Sequence, residues 1–317
     1  MQAEDIRNIS VIGAGLMGHG IAQFFASKNY NVHLLDIKDE LLSKAVENIR
    51  VNLSMMARKA IIPGSVVDTV IGRIKTTTNM AEATSDAQLV IEAVNENLEL
   101  KQKVFQDLDQ LCPPETILAT NTSVISITEI AAKARRRERI LGTHFWNPPY
   151  MIPLVEVIKG KETSEEAVET TCHILKNAGK HPVKVMKDVP GFIGNRLQHA
   201  LWREAISIVE NGIADAASVD EVIKEGFGIR LPVLGPLENA DMVGLDLTLA
   251  IHDYILKYLN SSPSPSPLLR EKVERGELGF KTGQGFYTWS VEEVQRSRER
   301  LLEYLLDRVR KEPNKTT

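Results

Sequence analysis

Val11-Ile12-Gly13-Ala14-Gly15-Leu16-Met17-Gly18 sets three glycines in a G-x-G-x-x-G pattern directly behind an apolar run that begins at Ile6. Gly18 opens a segment with Ile21, Ala22, Phe24 and Phe25 at helical spacing. Asn31-Val32-His33-Leu34-Leu35-Asp36 then reads as a second buried strand ending in an acid. Strand, glycine turn, helix and strand form a βαβ unit, whose turn lets backbone amides and a helix N-terminus approach a pyrophosphate. Asp36 stands 18 residues after Gly18, near the ~20-residue offset of an acid that binds ribose hydroxyls. The pattern predicts a dinucleotide site made by Gly13, Gly15, Leu16, Met17, Gly18 and Asp36. An acid there favours NAD over NADP, although Lys38, two positions on, is a cation long enough to reach a 2′-phosphate.

The alternation continues outward. Leu41 to Lys59 and Glu99 to Leu111 are helical in pattern, with strand signals at Ala87–Val94, Thr116–Ala119, Arg139–Phe145 and Leu154–Ile158, then a helix over Glu165–Ala178. After Asp188-Val189-Pro190-Gly191 the strand signal fades, and Asn195–Asn211, Ser218–Glu225 and Asp241–Leu259 read as helices. The expected fold is α/β, with a Rossmann-type sheet domain over residues 1–188 and an all-helical domain over residues 189–317. Ser261–Pro267 reads as an exposed loop. Val291–Arg310 carries an apolar stripe of Leu301, Leu302, Leu305, Leu306 and Val309, expected to dock on the protein.

Composition narrows the function classes. The 317 residues are 43% hydrophobic and 25% charged, enough for a substantial core, and a net charge of −4 gives no broad positive surface for nucleic acid. No apolar run approaches a membrane span, and Met1–Asp5 has no signal-peptide profile, so neither membrane nor nucleic acid is an expected partner and the cytoplasm is the expected location. Two distant cysteines, Cys112 and Cys172, fit a reducing compartment and read as buried and inert.

His144 closes a predicted strand, where open parallel sheets expose their ligand crevice, and Glu156 lies 12 residues on within the apolar run Leu154–Ile158. Oxidation of a secondary alcohol needs a base for the hydroxyl proton, and imidazole has a suitable pKa. A carboxylate on the other ring nitrogen would fix its tautomer. Spacing alone leaves three readings open: a catalytic pair, a strand-end histidine satisfied locally, and an unrelated ion pair.

The chain resembles the 3-hydroxyacyl-CoA dehydrogenase family, its 3-hydroxybutyryl-CoA dehydrogenase-like members above all, over residues 6 to 289. The ordered motifs are the glycine turn, Asn121-Thr122-Ser123, His144-Phe145-Trp146-Asn147-Pro148, Pro190 to Arg196 and Lys281 to Tyr287. The resemblance implies a helical domain that pairs two subunits as a homodimer, hydride transfer to NAD without a metal, and a role in fatty acid metabolism. It makes His144 the base, Glu156 its orienting partner, and Ser123 and Asn195 polar groups near the substrate oxygen. It adds Glu96, Lys101, Ser123, Asn147 and Lys281 as NAD contacts. It places Lys59, with Ser123 and Asn52, at the substrate, Lys59 meeting a coenzyme A phosphate beside Arg58.

The segment also resembles a branch with L-gulonate 3-dehydrogenase and lambda-crystallin, through Asn147-Pro148-Pro149-Tyr150, Ile152 to Glu156 and Gly235-Pro236-Leu237-Glu238. That likeness implies a free hydroxy acid as substrate, for which Arg230 is a candidate carboxylate partner. Carnitine would call for an aromatic cage, and Phe145, Trp146 and Tyr150 are neighbours in sequence, although alternating directions along the chain argue against a shared cage. A lens-type protein that binds NAD without catalysis is the reading from another class, and the joint presence of Ser123, His144, Glu156 and Asn195 argues against it.

Overall fold

The computed structural model describes residues 6–311, so the leader-free reading of Met1–Asp5 lies outside the described residues. Eight strands form one sheet: β1 (Asn8–Ile12), β2 (Asn31–Leu35), β3 (Ile74–Thr77), β4 (Leu89–Glu92), β5 (Ile117–Thr120), β6 (Ile140–Phe145), β7 (Leu154–Lys159) and β8 (His181–Val185). Their order is β3-β2-β1-β4-β5-β6-β7-β8. Every neighbouring pair is parallel except β6 and β7. The order reverses between β1 and β4, the switch point at which such sheets bind dinucleotides.

The helices are α1 (Leu16–Ser27), α2 (Asp39–Arg58), α3 (Val67–Ile71), α4 (Met80–Thr84), α5 (Leu98–Leu111), α6 (Ile127–Ile130), α7 (Glu165–Asn177), α8 (Gly194–Glu210), α9 (Ala216–Glu225), α10 (Pro236–Val243), α11 (Leu245–Ile255), α12 (Pro267–Glu274) and α13 (Val291–Lys311). Successive residues of the central strands feed opposite faces. Ile91, Ala119 and Leu141 pack with Phe25 and Leu53 on one side, and Val90, Leu118 and Ile140 with Phe105 and Leu108 on the other. Burying each large aliphatic side chain contributes about 1.5–3 kcal/mol, which makes this layered core the main stabilising element of the sheet. Helix α2 shows the matching pattern, burying Leu42, Ala45, Ile49, Leu53 and Met56 at helical spacing, with Asp39 and Glu40 in its first turn and Arg58 in its last.

The central strands and long helices lie where the periodicity predicts. The edge strands β3 and β8 do not announce themselves, because each is partly exposed and polar, and β8 contains Pro182. The single helix expected over Asp241–Leu259 is broken at Gly244, whose φ of 105° no helix accommodates.

Two compact units are present, residues 6–196 with 301–311, and residues 197–300. The division falls beyond Asp188 because the segment after β8 is anchored in the first unit. Asp188 accepts hydrogen bonds from the backbone of Ile127 and Thr128 and the hydroxyls of Ser126 and Thr128, and Phe192 is buried in the sheet core. The second unit is helical, and among its described residues only Ser207 is buried. Among the described residues no helix is long and apolar enough to cross a membrane.

Candidate active site

The glycine turn is built by three glycines with three different constraints. Gly13 has φ 102°, and a Cβ there would lie 2.7 Å from the carbonyl oxygen of Ala93. At Gly18 a Cβ would lie 1.7 Å from the Gly13 oxygen, so this glycine lets α1 close against the turn. Gly15 caps α1 at an ordinary φ of −66°, and a Cβ there would meet nothing within 4 Å. Neither backbone nor packing requires glycine at that position. What its missing side chain leaves is open approach to the N-terminus of α1, which fits a pyrophosphate. Asp36 holds the turn from the end of β2, accepting from the Ala14 N–H at 2.7 Å and the Ile37 N–H at 2.7 Å. Leu16, within the turn, and Ile37, next to Asp36, expose apolar side chains.

Behind the turn, at the ends of β4 and β5, lies an ionic network of two buried residues, Lys101 and Glu92, and the exposed Glu96. Lys101 is 1% exposed and lies 2.8 Å from Glu92 and 3.3 Å from Glu96. Glu92 also accepts from the Thr120 hydroxyl and the Val94 N–H. Glu96 takes the Thr122 hydroxyl and the N–H groups of Ser123 and Val124, at 3.0 and 3.2 Å. Burial pushes the Glu96 carboxyl up, and those donors with Lys101 overcome it, holding the carboxyl below its usual range. Lys101 is therefore engaged inside the protein, and Glu96 shapes the loop that carries Ser123. A sequence pattern does not distinguish a buried lysine from a solvated one.

His144 and Glu156 face each other directly across the β6–β7 pair, with 2.7 Å between Nδ1 and Oε2, and both are buried. The antiparallel junction makes this contact, since a return of strand β7 beside β6 brings residues 12 apart into register. The second oxygen, Oε1, accepts from the N–H groups of Ile193 and Gly194 at 2.9 and 3.0 Å, at the start of α8. Burial raises the Glu156 carboxyl, but the bonds from His144, Gly194 and Ile193 outweigh it and keep the group below its ordinary range. These N–H groups point at Glu156 because Gly191 and Phe192 turn the chain through φ values of 77° and 50°. A bulky residue in the left-handed region costs of order 1–3 kcal/mol, offset here by complete burial of Phe192 beside the His144 ring. Asn195, on the first turn of α8, donates to the Ser123 carbonyl at 2.9 Å and ties the two loops together. With Glu156 accepting at Nδ1, the basic nitrogen of His144 is Nε2.

The chain as a whole compares with known proteins. The 3-hydroxyacyl-CoA dehydrogenase NAD-binding domain matches residues 8–189, and the C-terminal domain of that family matches residues 191–289. The chain belongs to the 3-hydroxyacyl-CoA dehydrogenase family. It is an NAD-dependent oxidoreductase. A probable 3-hydroxybutyryl-CoA dehydrogenase of Bacillus subtilis is 41% identical, over 90% of this chain and 98% of that one. A 5-formyl-3-hydroxy-2-methylpyridine 4-carboxylate 5-dehydrogenase of Mesorhizobium japonicum is 35% identical over 92% of this chain and 93% of that one. A crystal structure of an enzyme with that activity superposes with a TM-score of 0.88 at 33% identity, covering 95% of this chain and 97% of that one. The (S)-3-hydroxybutyryl-CoA dehydrogenase PaaH1 of Ralstonia eutropha superposes with 0.76 at 37% identity, covering 90% of this chain and all of that one.

The remaining residues that the resemblance singles out lie on different elements. Asn147 is exposed just past β6. Lys281 is exposed in the Gly279–Gln284 turn of the second unit, and Arg230 is exposed at the end of its Phe227–Arg230 turn. Asn52 donates to the Gln23 side chain at 3.0 Å, and the Lys59 ammonium lies 2.9 Å from the Glu303 carboxylate of α13. Phe145 packs on Phe24 and Phe25, Trp146 lies against His144, and Tyr150 joins a methionine cluster, so the three aromatic residues form no common cage.

One residue of this region gives no signal in sequence. Lys180, just before β8, is buried and donates to the carbonyls of Pro149 and Ile152 at 2.5 and 2.6 Å, with its ammonium 4.2 Å from the centre of the Phe24 ring. It clamps the connection between the His144 and Glu156 strands. Loss of water, with Lys28 nearby, lowers its pKa to about 7.

Proposed function

We propose that this chain oxidises the 3-hydroxyl of an L-3-hydroxyacyl-CoA to the ketone, reversibly, with His144 as the base. The observation that carries the reading is the buried His144–Glu156 pair, oriented by the N-terminus of α8. Gly13, Gly15, Gly18 and Asp36 would hold the dinucleotide, with Leu16, Met17, Glu96, Ser123, Asn147 and Lys281 as further contacts and Lys101, buried against Glu92, acting through Glu96 rather than by direct contact. Bound NAD supplies the hydride acceptor at nicotinamide. His144 takes the hydroxyl proton on Nε2 as hydride leaves carbon 3, and Glu156 stabilises the resulting imidazolium through Nδ1. Ser123 and Asn195 orient the substrate oxygen, and fixing the reacting atoms at contact distance supplies much of the rate. Relatives named as hydroxyacyl-CoA dehydrogenases support the acyl-CoA substrate.

A second reading, a free hydroxy acid, is favoured by one observation. Lys59, the expected partner of a coenzyme A phosphate, is already paired with Glu303. The pyridine-carboxylate dehydrogenase among the relatives supports the same direction. NADH oxidation with acetoacetyl-CoA, run beside NAD reduction with L-gulonate and carnitine, tests the two. Turnover of acetoacetyl-CoA alone upholds the thioester, and turnover of a free acid alone replaces it.

The chain acts as a homodimer in the cytoplasm, within fatty acid metabolism. The dimer is supported by the second unit, where Leu237, Leu245, Leu249 and Tyr254 are more than 60% exposed and no apolar residue described is buried. Helices that bury no apolar face need a partner to cover one.

A further inference from the structure

We infer that Glu303, delivered by the C-terminal end of α13, is a specificity-determining residue that competes with a carrier phosphate for Lys59. The inference rests on the reading that Lys59 meets the phosphate of coenzyme A.

The end of α13 is docked by its apolar face. Leu302, Leu305 and Leu306, at i, i+3 and i+4, pack against Met55, Met56, Ile61, Ile62, Tyr150 and Met151, and Leu306 is 2% exposed. That docking fixes which polar side chains meet α2. Glu303 lies one residue off the apolar face and reaches the Lys59 ammonium at 2.9 Å. Arg310, two turns further on, donates to the Lys59 carbonyl, and its guanidinium is also held by Asp307 at 3.3 Å. Both the charge and the backbone of Lys59 are thus engaged by one helix. Asn52, the other expected contact on α2, spends its amide on Gln23.

A phosphate arriving at Lys59 meets a carboxylate of its own sign already in place, on a helix that the three leucines keep from swinging away. A small hydroxy acid without a nucleotide carrier meets no such competitor. The Lys59–Glu303 pair is solvent-accessible, with side chains 47% and 62% exposed. Its effect on phosphate binding is therefore that of a surface ion pair, about three- to fivefold.

The test compares acetoacetyl-CoA with acetoacetyl-pantetheine, which has the same reacting group and no nucleotide phosphate, in wild type, Glu303→Gln and the double variant Lys59→Met/Glu303→Gln. Glu303→Gln lowers KM for acetoacetyl-CoA about three- to fivefold, leaves KM for acetoacetyl-pantetheine and for NADH unchanged, and loses its gain in the double variant or at high salt. Equal ratios of the two KM values in wild type and Glu303→Gln overturn the inference while leaving the thioester reading intact. Should no variant turn over either thioester, that reading falls, and coenzyme A is assayed as an inhibitor of free-acid oxidation. Stronger inhibition of Glu303→Gln than of wild type then upholds the role of Glu303, and equal or absent inhibition overturns it.

Discussion

Glu156 touches His144 with one carboxylate oxygen and the N-terminus of α8 with the other. The charge on the carboxylate is thereby fixed from one side and its geometry from the other. The imidazole receives a single orientation.

On the proposed mechanism, replacing His144 by alanine removes the proton acceptor and lowers kcat by roughly 10²–10⁴. NADH affinity, measured by fluorescence titration, stays unchanged, because the glycine turn and Asp36 lie on other strands. Glu156→Gln produces a similar loss in kcat. A glutamine that keeps accepting from Ile193 and Gly194 must donate its amide to Nδ1, which moves the ring proton to Nε2 and blocks proton uptake. Equal loss of NADH binding in either variant would contradict these roles.

Glu156 also contributes to acid stability. Its folded pKa is held below the unfolded value of about 4.3, so the contribution is fully present above that value and is lost as pH falls through the folded one. Tm measured from pH 6 downward falls less steeply in Glu156→Gln than in wild type. Parallel curves would remove the assignment.

Gly15 and Gly18 separate cofactor binding from folding. Gly15→Ala adds a methyl into space that the protein leaves open, so Tm is unchanged while NADH affinity falls on the order of tenfold. Gly18→Ala forces its methyl onto the Gly13 carbonyl and destabilises the fold by about 1–3 kcal/mol. A stable Gly15→Ala protein with undiminished affinity would show that the pyrophosphate lies elsewhere.

How much of this was legible in sequence follows from which interactions are local. The strand, glycine turn and helix order and most of the helix faces are written in short-range spacing, and the structure has these elements where the spacing puts them, although Leu301 of the expected α13 stripe is exposed. His144 and Glu156 were visible as candidates, but their contact depends on β7 returning antiparallel to β6, which no spacing rule dictates in a parallel-sheet pattern. Lys101 and Lys59 carry the same ambiguity as any lysine. Only the fold tells that one is buried against Glu92 and that the other meets Glu303 from a helix 244 residues away.

The second unit calls for a partner. If the proposed dimer forms, sedimentation at micromolar concentration gives the mass of two chains, because Leu237, Leu245, Leu249 and Tyr254 are exposed and obligate interfaces bury on the order of 2,000 Å² or more. Leu237→Asp with Leu245→Asp shifts the equilibrium toward a monomer of lower Tm. A wild type that stays monomeric at micromolar concentration would refute the dimer.

The charged form of Lys180 destabilises the fold where that of Glu156 stabilises it, and for both the stability of wild type relative to an uncharged variant rises with pH. Its folded pKa of about 7 lies below the unfolded value of about 10.4, so between these values the unfolded chain binds the additional proton. The cost of burying the ammonium is fully present below pH 7 and is relieved as pH rises toward 10.4, where both states are neutral. Stability of wild type relative to Lys180→Met, taken from urea unfolding, therefore increases across that window. The variant also leaves the Pro149 and Ile152 carbonyls without their donor, which loosens the connection from His144 to Glu156 and lowers kcat more than it raises KM for NAD. A pH-independent stability difference would mean that Lys180 stays charged throughout, and unchanged kcat would mean that the clamp does not position the pair.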